Sequence, residues 1–441
     1  MDVRISPVYG SILDQNSMSS SRDAFLSIPG KFKGQSTTLN IDKDTLSKHS
    51  MLIGGTGCGK SNVFYHIIDQ IKRKMTPDDV MIIFDTKGDY YSNFYSGNDA
   101  VIGGGNNFAS ATEKWNIFKE IVADGWEDKE IYLNAQELSW SIFKESIDKS
   151  KDPFFPNAAR DLFAAVLLCM LHEGRDDLSY RKECLFNHEL KRALDESTIF
   201  DVKAMIESHP KFASVLSYIG DGSTGQALGV YAEMLGTARK ILLSCFDDRG
   251  MFSIRDFVRK KGGRVLFIEY DISIGETLTS IYSLLFDLAL KEALGRKKSQ
   301  GDVYLICDEF RLIPYLQHID DGVNFGRSLG VKVIAGLQSI NQLTETYGEY
   351  RGKNIIAGFS SVLAFRANDV YTRDYIVGLH GKNVVMEQHK TLTNSIHEER
   401  HGAHVVEDWD MNDLEVGEAI VSFPFGKPFR YRFDLFRKGR T

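Results

Sequence analysis

The sequence predicts an α/β fold in which a mostly parallel sheet carries helices on both faces. Three observations predict it. A phosphate-binding pattern, GGTGCGKS at residues 54–61, stands between an apolar run and an amphipathic segment. Apolar runs then alternate with helical segments, and one of these runs ends in Asp308 and Glu309. Apolar runs of strand length that are joined by helices are typical of parallel sheets buried on both sides.

The composition limits the classes of protein to consider. The 441 residues are 43% apolar, which is enough for one large core or two modest ones. A net charge of −7 excludes a general basic surface, so any polyanion must be bound locally. Five cysteines without a C-x-x-C pattern predict reduced thiols. The first residues lack an apolar signal core and the longest apolar run, 162–171, is shorter than a membrane helix, so we expect a soluble, cytoplasmic protein.

The elements follow in chain order. Residues 1–48 are expected to be a β-rich lead-in with a strand at 37–42, and a strand at 51–53 enters the phosphate loop. Further strands are predicted at 80–84, 265–270, 303–307, 331–337, 362–366 and 419–423, and a long helix at about 276–294. The polar, histidine-rich residues 381–409 are expected to form a loop.

Residues 108–257 interrupt this alternation, because they hold several helical segments, among them 157–172 and 226–245, and no convincing strand. The sequence therefore predicts three parts. Residues 1–107 are the lead-in and the first half of a nucleotide-binding domain, 108–257 an all-α insertion, and 258–441 the second half with the C-terminal strands.

Each residue type in the pattern G-x-x-x-x-G-K-[ST] has a chemical role in binding phosphate. Glycines allow backbone N–H groups to turn inward around a phosphate, and the start of the next helix adds partial positive charge. Lys60 is predicted to reach the β- and γ-phosphates, and the Ser61 hydroxyl to hold Mg²⁺. The alternative is a glycine-rich turn without a ligand. The predicted nucleotide-binding residues are Gly55, Thr56, Gly57, Cys58, Gly59, Lys60, Ser61 and Asn62.

Acidic residues end two of the predicted strands. VYLICDEF has the Walker B form, in which Asp308 orients Mg²⁺ and its water while Glu309 polarises the attacking water. The alternative is a strand that merely ends in acids. Asp85 follows VMIIF. It either contacts the groups that bind Mg²⁺, without binding the metal itself, or belongs to a charged turn.

Three further side chains are candidates for contact with the γ-phosphate. Gln338 ends the strand at 331–337, and an amide can hold water or phosphate without adding charge. Arg327, and in competition with it Arg366, could neutralise charge on the phosphoryl oxygens. The alternative for Arg327 is a solvated charge on the preceding helix. The pattern H-E-x-x-H at 397–401 fits a zinc-protease motif, but its flanks lack a helical apolar stripe. We therefore expect it to lie in a polar loop.

Taken together and in this order, the phosphate loop, FDTKGDYY, DEF, Arg327 and Gln338 resemble the coupling ATPases of conjugation and type IV secretion. These belong to the FtsK/HerA superfamily of ring-shaped translocases. The resemblance runs from about residue 49 to 381. WNIF, DPFFPNAARDLF and STGQALGVYAEMLGTARKIL resemble the family's all-α insertion, and DEFRLIPYL and GRSLGVKVIAGLQSINQLTETYG its Walker B and sensor block.

The resemblance implies a RecA-like P-loop NTPase that uses ATP and Mg²⁺, with Arg327 as an arginine finger across a subunit interface and Gln338 as the γ-phosphate sensor. It also implies a hexameric ring that moves DNA, or a protein–DNA conjugate, with a secretion-channel or relaxase-type protein as partner. Members usually carry N-terminal membrane helices, and none is predicted here. We therefore expect either that a partner tethers the protein to the inner face of the membrane or that it works free in the cytosol, as HerA-like motors do.

Two other functions stay open from the sequence. One is a HerA-like motor of antiviral defence or DNA repair, which shares the ATPase and differs in its partner. The other is a nucleotide-gated docking platform that presents protein substrates without processive movement.

Overall fold

The computed structural model describes residues 3–103, 112–271, 275–295, 301–390 and 396–438. The strands within these residues are β1 (Val3–Tyr9), β2 (Leu26–Phe32), β3 (Gln35–Ile41), β4 (Ser50–Ile53), β5 (Val80–Asp85), β6 (Ala100–Ile102), β7 (Arg264–Glu269), β8 (Val303–Cys307), β9 (Val331–Leu337), β10 (Ser361–Phe365), β11 (Lys382–Lys390), β12 (Ile396–His404), β13 (Glu418–Ser422) and β14 (Phe429–Phe433).

The helices within the same residues are α1 (Lys43–Leu46), α2 (Lys60–Lys74), α3 (Asp89–Phe94), α4 (Ile117–Ile121), α5 (Asp128–Lys149), α6 (Phe154–Asp176), α7 (Leu178–Cys184), α8 (Asn187–Glu196), α9 (Ile199–Glu207), α10 (Gly225–Ile241), α11 (Ile254–Lys260), α12 (Thr279–Leu294), α13 (Ile319–Phe325), α14 (Asn341–Tyr347), α15 (Glu349–Ala357), α16 (Val370–His380) and α17 (Asp408–Asn412). The predicted helix at 276–294 and the six strands named from 80–84 to 419–423 are confirmed, with ends shifted by up to three residues.

The chain divides into two compact units. The first contains Met1–Met75, Tyr304–Arg311 and Asp320–Thr441, and the second contains Thr76–Val303 and Leu312–Ile319. The predicted boundaries near residues 108 and 257 stay a prediction.

The large sheet of the first unit has the strand order β3-β2-β14-β13-β10-β4-β9-β8. β4 lies between β10 and β9 and is parallel to both, whereas β13, β14, β2 and β3 pair antiparallel. Every residue of β4, β9 and β10 is buried, which explains why these strands are continuous apolar runs in the sequence. The phosphate-loop strand is therefore a central strand with neighbours on both sides.

A second sheet of the first unit contains β1, β11 and β12, all antiparallel. The expectation of a loop at 381–409 was wrong, because most of that segment is this hairpin. The error has a physical reason: residues 396–402 of β12 are exposed on both faces of the strand, so their sequence shows no apolar alternation. Hydrogen bonds to β11 hold the strand instead.

The second unit has three parallel strands in the order β5-β7-β6 and the helices α3 to α12. The described residues from 112 to 263 contain helices and a single isolated bridge between Trp115 and Phe252, as the helical interpretation predicts. Among the described residues, α6 is the one helix long and apolar enough to cross a membrane. It packs against α5 and α10, with 72% of its apolar window buried, as in the core helix of a globular unit.

Candidate functional site

The phosphate loop has a backbone that glycine makes possible. Gly54, Gly57 and Gly59 have φ angles of 152°, 77° and 110°. A Cβ atom on Gly54 would lie 2.7 Å from the Cβ of Phe365, and one on Gly59 would lie 2.9 Å from the Cα of Gly417. Side chains at these two positions are therefore excluded both by conformation and by space.

Neighbouring segments hold the loop in place through backbone hydrogen bonds. The N–H of Gly54 donates to the carbonyl oxygen of Leu337 (3.1 Å), and the N–H of Gly55 donates to that of Arg366 (2.8 Å). Farther along the loop, the N–H of Gly417, which directly precedes β13, donates to the carbonyl oxygen of Cys58 (2.9 Å). The loop thus continues the sheet on both sides before the chain enters α2.

Lys60 is the first residue of α2 and folds back over the loop. Its ammonium donates to the carbonyl oxygens of Gly54 (2.5 Å) and Gly55 (3.0 Å). The first N–H groups of this 15-residue helix lack partners within the helix, so the loop, Lys60 and the helix start together form a concentration of donors. This arrangement suits a triphosphate.

The other predicted binding residues of the loop differ in exposure. Thr56 and Gly57 are exposed at its tip, Ser61 is half-buried in the first turn of α2, and the Cys58 thiol is buried, which raises its pKa. The side chain of Asn62 is engaged elsewhere, because it binds the backbone of the segment after β14. Its backbone N–H still belongs to the first turn.

The Walker B segment follows directly from β8, whose five residues are all buried. A Cβ atom on Gly336 of β9 would lie 2.1 Å from the carbonyl oxygen of Asp308, so glycine is needed for this close approach of the two strands. Asp308 and Glu309 are half-buried at the strand end. In a parallel sheet this is the same edge as the phosphate loop.

Glu309 accepts hydrogen bonds on both oxygens. Gln338, at the end of β9, donates its amide N–H to Oε2 (2.7 Å), and Arg311 donates Nε–H to Oε1 (3.0 Å). The Glu309 side chain is 18% exposed and that of Arg311 is 52% exposed. The structure therefore brings Glu309 and Gln338, two of the predicted site residues, into direct contact.

The position of Gln338 is fixed by its surroundings. Its backbone N–H donates to Oε1 of Gln342 in α14 (3.2 Å). The next residue, Ser339, donates to Asp369 (3.0 Å), which caps the start of α16. The ends of β9 and β10 are thereby tied to each other beside the loop.

Arg327 lies at the opposite end of the strands from the phosphate loop. It belongs to a short 3₁₀ turn, Gly326–Leu329, that precedes β9, whereas the phosphate loop follows the carboxyl end of β4. Its guanidinium pairs with Asp44 (2.7 Å), and hydrogen bonds from Lys48 and Arg327 hold the pKa of Asp44 below its ordinary value. Arg327 is thus separated from the phosphate loop of its own chain by the length of β9.

Arg366 lies beside the loop, directly after β10. Its carbonyl oxygen accepts the hydrogen bond of Gly55, and its side chain is exposed. Within the part of the chain that the structure describes, its guanidinium makes no hydrogen bond or ion pair. Arg366 is therefore a candidate for the phosphate site of its own chain.

Asp85 lies in the second unit and holds its own turn. Its buried carboxylate accepts hydrogen bonds from the N–H groups of Lys87 (3.3 Å), Gly88 (2.9 Å) and Tyr91 (2.7 Å), and burial raises its pKa. Of the two interpretations of this residue, the geometry favours the charged turn.

The H-E-x-x-H residues lie on strand β12. On a helix, His397 and His401 would be one turn apart, but on a strand they are four residues along an extended chain. No group of three or more potential metal ligands occurs among residues that the structure describes. The motif therefore lacks the geometry of a zinc protease.

Two residues of the site were not predicted. Arg311 contacts Glu309, and Gly417 packs on Gly59. The charge two positions after Glu309 was a usable signal for Arg311. Gly417 carried no such signal, because it lies more than 350 residues along the chain from the loop that it contacts.

A comparison with family models matches most of the chain to one family. The sequence model of the type IV secretion-system coupling protein DNA-binding domain matches residues 34–422. Coupling protein TraD of Escherichia coli (strain K12) is 20% identical over 396 residues, which are 88% of this chain and 51% of TraD. The chain thus spans about half the length of that relative.

Solved structures show the same fold. The bacterial conjugative coupling protein TrwBdeltaN70, in its unbound monoclinic form, matches 99% of this chain and 94% of its own, with a TM-score of 0.75 and 20% identity. Plasmid coupling protein TrwB in complex with the non-hydrolysable ATP analogue ADPNP gives a TM-score of 0.74 at 20% identity, covering 99% and 94%. TrwB in complex with ADP and Mg²⁺ gives 0.72 at 19%, covering 100% and 97%.

Proposed function

The chain belongs to the family of type IV secretion-system coupling proteins, and on that premise we propose that it is an ATP-driven, hexameric translocase that moves DNA or a nucleoprotein for conjugative transfer. The observation that carries this proposal is the group of Lys60, Glu309 and Gln338 at the carboxyl edge of adjacent parallel strands. DNA is the cargo that the family model's description supports. A relaxase-type or secretion-channel protein would be its partner.

The loop fits a nucleotide with Mg²⁺. The glycine backbone, the Lys60 ammonium and the first turn of α2 supply donors for the phosphates, and Ser61 and Asp308 would hold the metal. When bound, Mg²⁺ neutralises charge on the phosphate oxygens. The TrwB structures with ADPNP and with ADP and Mg²⁺ support this assignment.

Glu309 would act as the base for hydrolysis. Its carboxylate accepts a proton from water as the water oxygen bonds to the γ-phosphorus and the bond from that phosphorus to the β–γ bridging oxygen breaks. Gln338 would hold the carboxylate and the water in register, because its amide both donates and accepts. ADP and phosphate leave.

Arg327 would complete the site of a neighbouring copy. Its place at the opposite edge of the sheet supports a role in trans, because it lies away from the phosphates bound by its own chain. A guanidinium at this interface would neutralise charge that develops on the transferred phosphoryl group. Arg366, beside its own loop, would act in cis.

Lys60→Ala tests the proposal. We expect it to reduce ATP hydrolysis at least about a hundredfold, because the lysine supplies the main positive charge to the β- and γ-phosphates. Hydrolysis would be measured with and without single- and double-stranded DNA, and particle size with ADPNP. Lys353→Ala, which removes an exposed charge in α15, serves as the control. Normal hydrolysis by the Lys60 variant, or a strictly monomeric protein at all concentrations, would contradict the proposal.

A further inference from the structure

The carboxylate of Glu309 is occupied by two donors that differ in kind. Gln338 is neutral and its side chain is half-buried, and its backbone is tied to α14 through Gln342. Arg311 is charged and half-exposed, and within the described residues the bond to Glu309 is its one side-chain hydrogen bond. Gln338 is fixed at the end of β9, whereas the exposed side chain of Arg311 can break its bond to Glu309 without a change in the fold.

We propose that Arg311 restrains Glu309 and keeps hydrolysis slow until a phosphate of bound nucleic acid draws its guanidinium away. This inference rests on the proposed function. Arg311 is here a positioning residue, because it acts through Glu309.

The restraint follows from the orientation of the Glu309 carboxylate, which Arg311 holds by an ion pair to Oε1. A base must offer an oxygen to the attacking water at hydrogen-bond distance. Oε1 of Glu309 already accepts a charge-assisted hydrogen bond from Arg311, and Oε2 accepts from Gln338. The bond from Gln338 is the one that the proposed mechanism keeps. While the bond from Arg311 persists, Oε1 is turned toward Arg311 and is less available to water.

The exposure of Arg311 makes the restraint reversible. Ion pairs that are half-exposed contribute little net stability and are screened by salt, so a competing anion displaces them readily. A guanidinium fork matches the geometry of a phosphate as well as that of a carboxylate. In a chain with a net charge of −7, a single exposed arginine next to the catalytic acid is a local attraction for a polyanion.

The family model supports nucleic acid as that polyanion. Its description is a DNA-binding domain, and the matched residues 34–422 include Arg311. Release of Arg311 by DNA would couple the presence of the cargo to the rate of hydrolysis at the same site.

The test compares Arg311→Gln and Arg311→Lys with a matched control, Arg239→Gln. Arg239 makes the same Nε–carboxylate contact with Asp195 (2.9 Å) and is equally exposed (53%), but it lies on helix α10 of the second unit. We expect Arg311→Gln to raise kcat without DNA about two- to fivefold, with unchanged KM and unchanged melting temperature. A 40-nucleotide single-stranded oligonucleotide should stimulate the wild type and leave Arg311→Gln little changed.

Each result decides the inference. Arg311→Lys, which keeps the charge, should fall between the wild type and Arg311→Gln, and Arg239→Gln should match the wild type. A raised kcat in Arg311→Gln supports the restraint, because a gain of activity cannot come from structural damage. An unchanged or lowered kcat overturns it. Absent stimulation of the wild type, or equal stimulation in both proteins, overturns the release by nucleic acid. Failure of the proposed function is distinct, because the wild type would then not hydrolyse ATP at all.

Discussion

Glu309 accepts one hydrogen bond from Arg311, two residues along the chain, and one from Gln338, on the neighbouring strand end. Gln338 contributes a neutral donor at 2.7 Å, and Gln342 fixes the backbone of Gln338 in turn. If Gln338 places the catalytic carboxylate and its water, its loss should affect turnover more than nucleotide affinity. We therefore expect Gln338→Ala to lower kcat about a hundredfold with little change in KM for ATP, measured by steady-state hydrolysis.

Gln342→Ala is the neighbouring control. It removes the side-chain acceptor for the Gln338 N–H and leaves the amide of Gln338 free to bind Glu309. We expect it to retain most of its kcat. If Gln338→Ala hydrolyses ATP at the wild-type rate, the amide has no role in the chemical step.

His49, directly before β4, makes stability depend on pH. Its side chain is 1% exposed, its Nδ1 accepts the N–H of Val333 (3.0 Å), and burial, together with Lys332 and Arg327, lowers its pKa from 6.5 to about 4. The unfolded chain therefore binds the proton first as the pH falls. The contribution of His49 to the free energy of unfolding is complete above about pH 7 and decreases as the pH falls toward 4. Between pH 7.5 and 5 this loss is about 2 kcal/mol.

Chemical denaturation at these two pH values checks this contribution. His49 has a φ angle of 59°, which asparagine tolerates better than most residues, so His49→Asn is the suitable variant. The variant should be less stable at neutral pH and lose about 2 kcal/mol less than the wild type on acidification. Equal losses in both proteins would show that the imidazole titrates normally in the folded state.

The sequence predicted the chemistry of single residues better than their partners. The glycine pattern and the acids after β8 identify residues by type and spacing, because phosphate binding demands N–H groups and a lysine at set positions. The contacts of Gly59 with Gly417 and of Glu309 with Arg311 depend on strand order and side-chain conformation. The contact of Gly59 with Gly417 cannot be read from local spacing, whereas the charge two positions after Glu309 was a usable signal for Arg311.

At the scale of elements, predictability followed burial. β4, β8, β9 and β10 are buried throughout and stand out as apolar runs, so their existence and limits were predicted. The hairpin of β11 and β12 was not, since backbone pairing rather than an apolar face maintains β12. Hydrophobic periodicity does not predict a strand that is exposed on both faces.

The segment after β14 is fastened to α2 next to the phosphate loop. Asn62 donates to the carbonyl oxygen of Asp434 (2.9 Å) and accepts from the N–H of Phe436 (2.7 Å), while the ring of Phe436 stacks on Tyr65. Asn62→Ala removes both hydrogen bonds and should lower the free energy of unfolding by about 1–3 kcal/mol. Amide exchange in residues 60–67 should become faster, because the first two turns of α2 lose their anchor.

Asn324→Ala is a control for this change. Asn324 makes one exposed hydrogen bond, to the carbonyl oxygen of Asp320 (2.8 Å), and we expect its loss to cost less than about 0.5 kcal/mol. If Asn62→Ala leaves both stability and exchange in α2 unchanged, the segment is not an anchor of the helix.

At the scale of the whole molecule, Arg327 is separated from the phosphate loop of its own chain, so the proposed finger would act on the site of a second copy. Parallel pairing of β4 with β9, Ser50 opposite Ile334 and Ile53 opposite Leu337, puts the loop at one end of the strands. Arg327 precedes the other end. A heterologous interface, repeated around a closed ring, brings one end of each copy to the opposite end of the next.

Mixed rings separate a trans finger from a cis one. Glu309→Gln should inactivate the site of its own chain, and Arg327→Ala, if the arginine acts across the interface, should inactivate the site of the neighbour. In a random equal mixture about a quarter of the interfaces combine an intact Glu309 with an intact neighbouring Arg327. We therefore expect about a quarter of wild-type hydrolysis from two proteins that are each inactive alone.

Arg366→Ala provides the opposite expectation in the same experiment. Arg366 adjoins the loop of its own chain, so a ring mixed from Arg366→Ala and Glu309→Gln contains no intact site and should stay inactive. Recovery in that mixture, with none in the Arg327 mixture, would exchange the two roles. No recovery in either, with rings confirmed by light scattering, would place both arginines in cis and leave the interface without a finger.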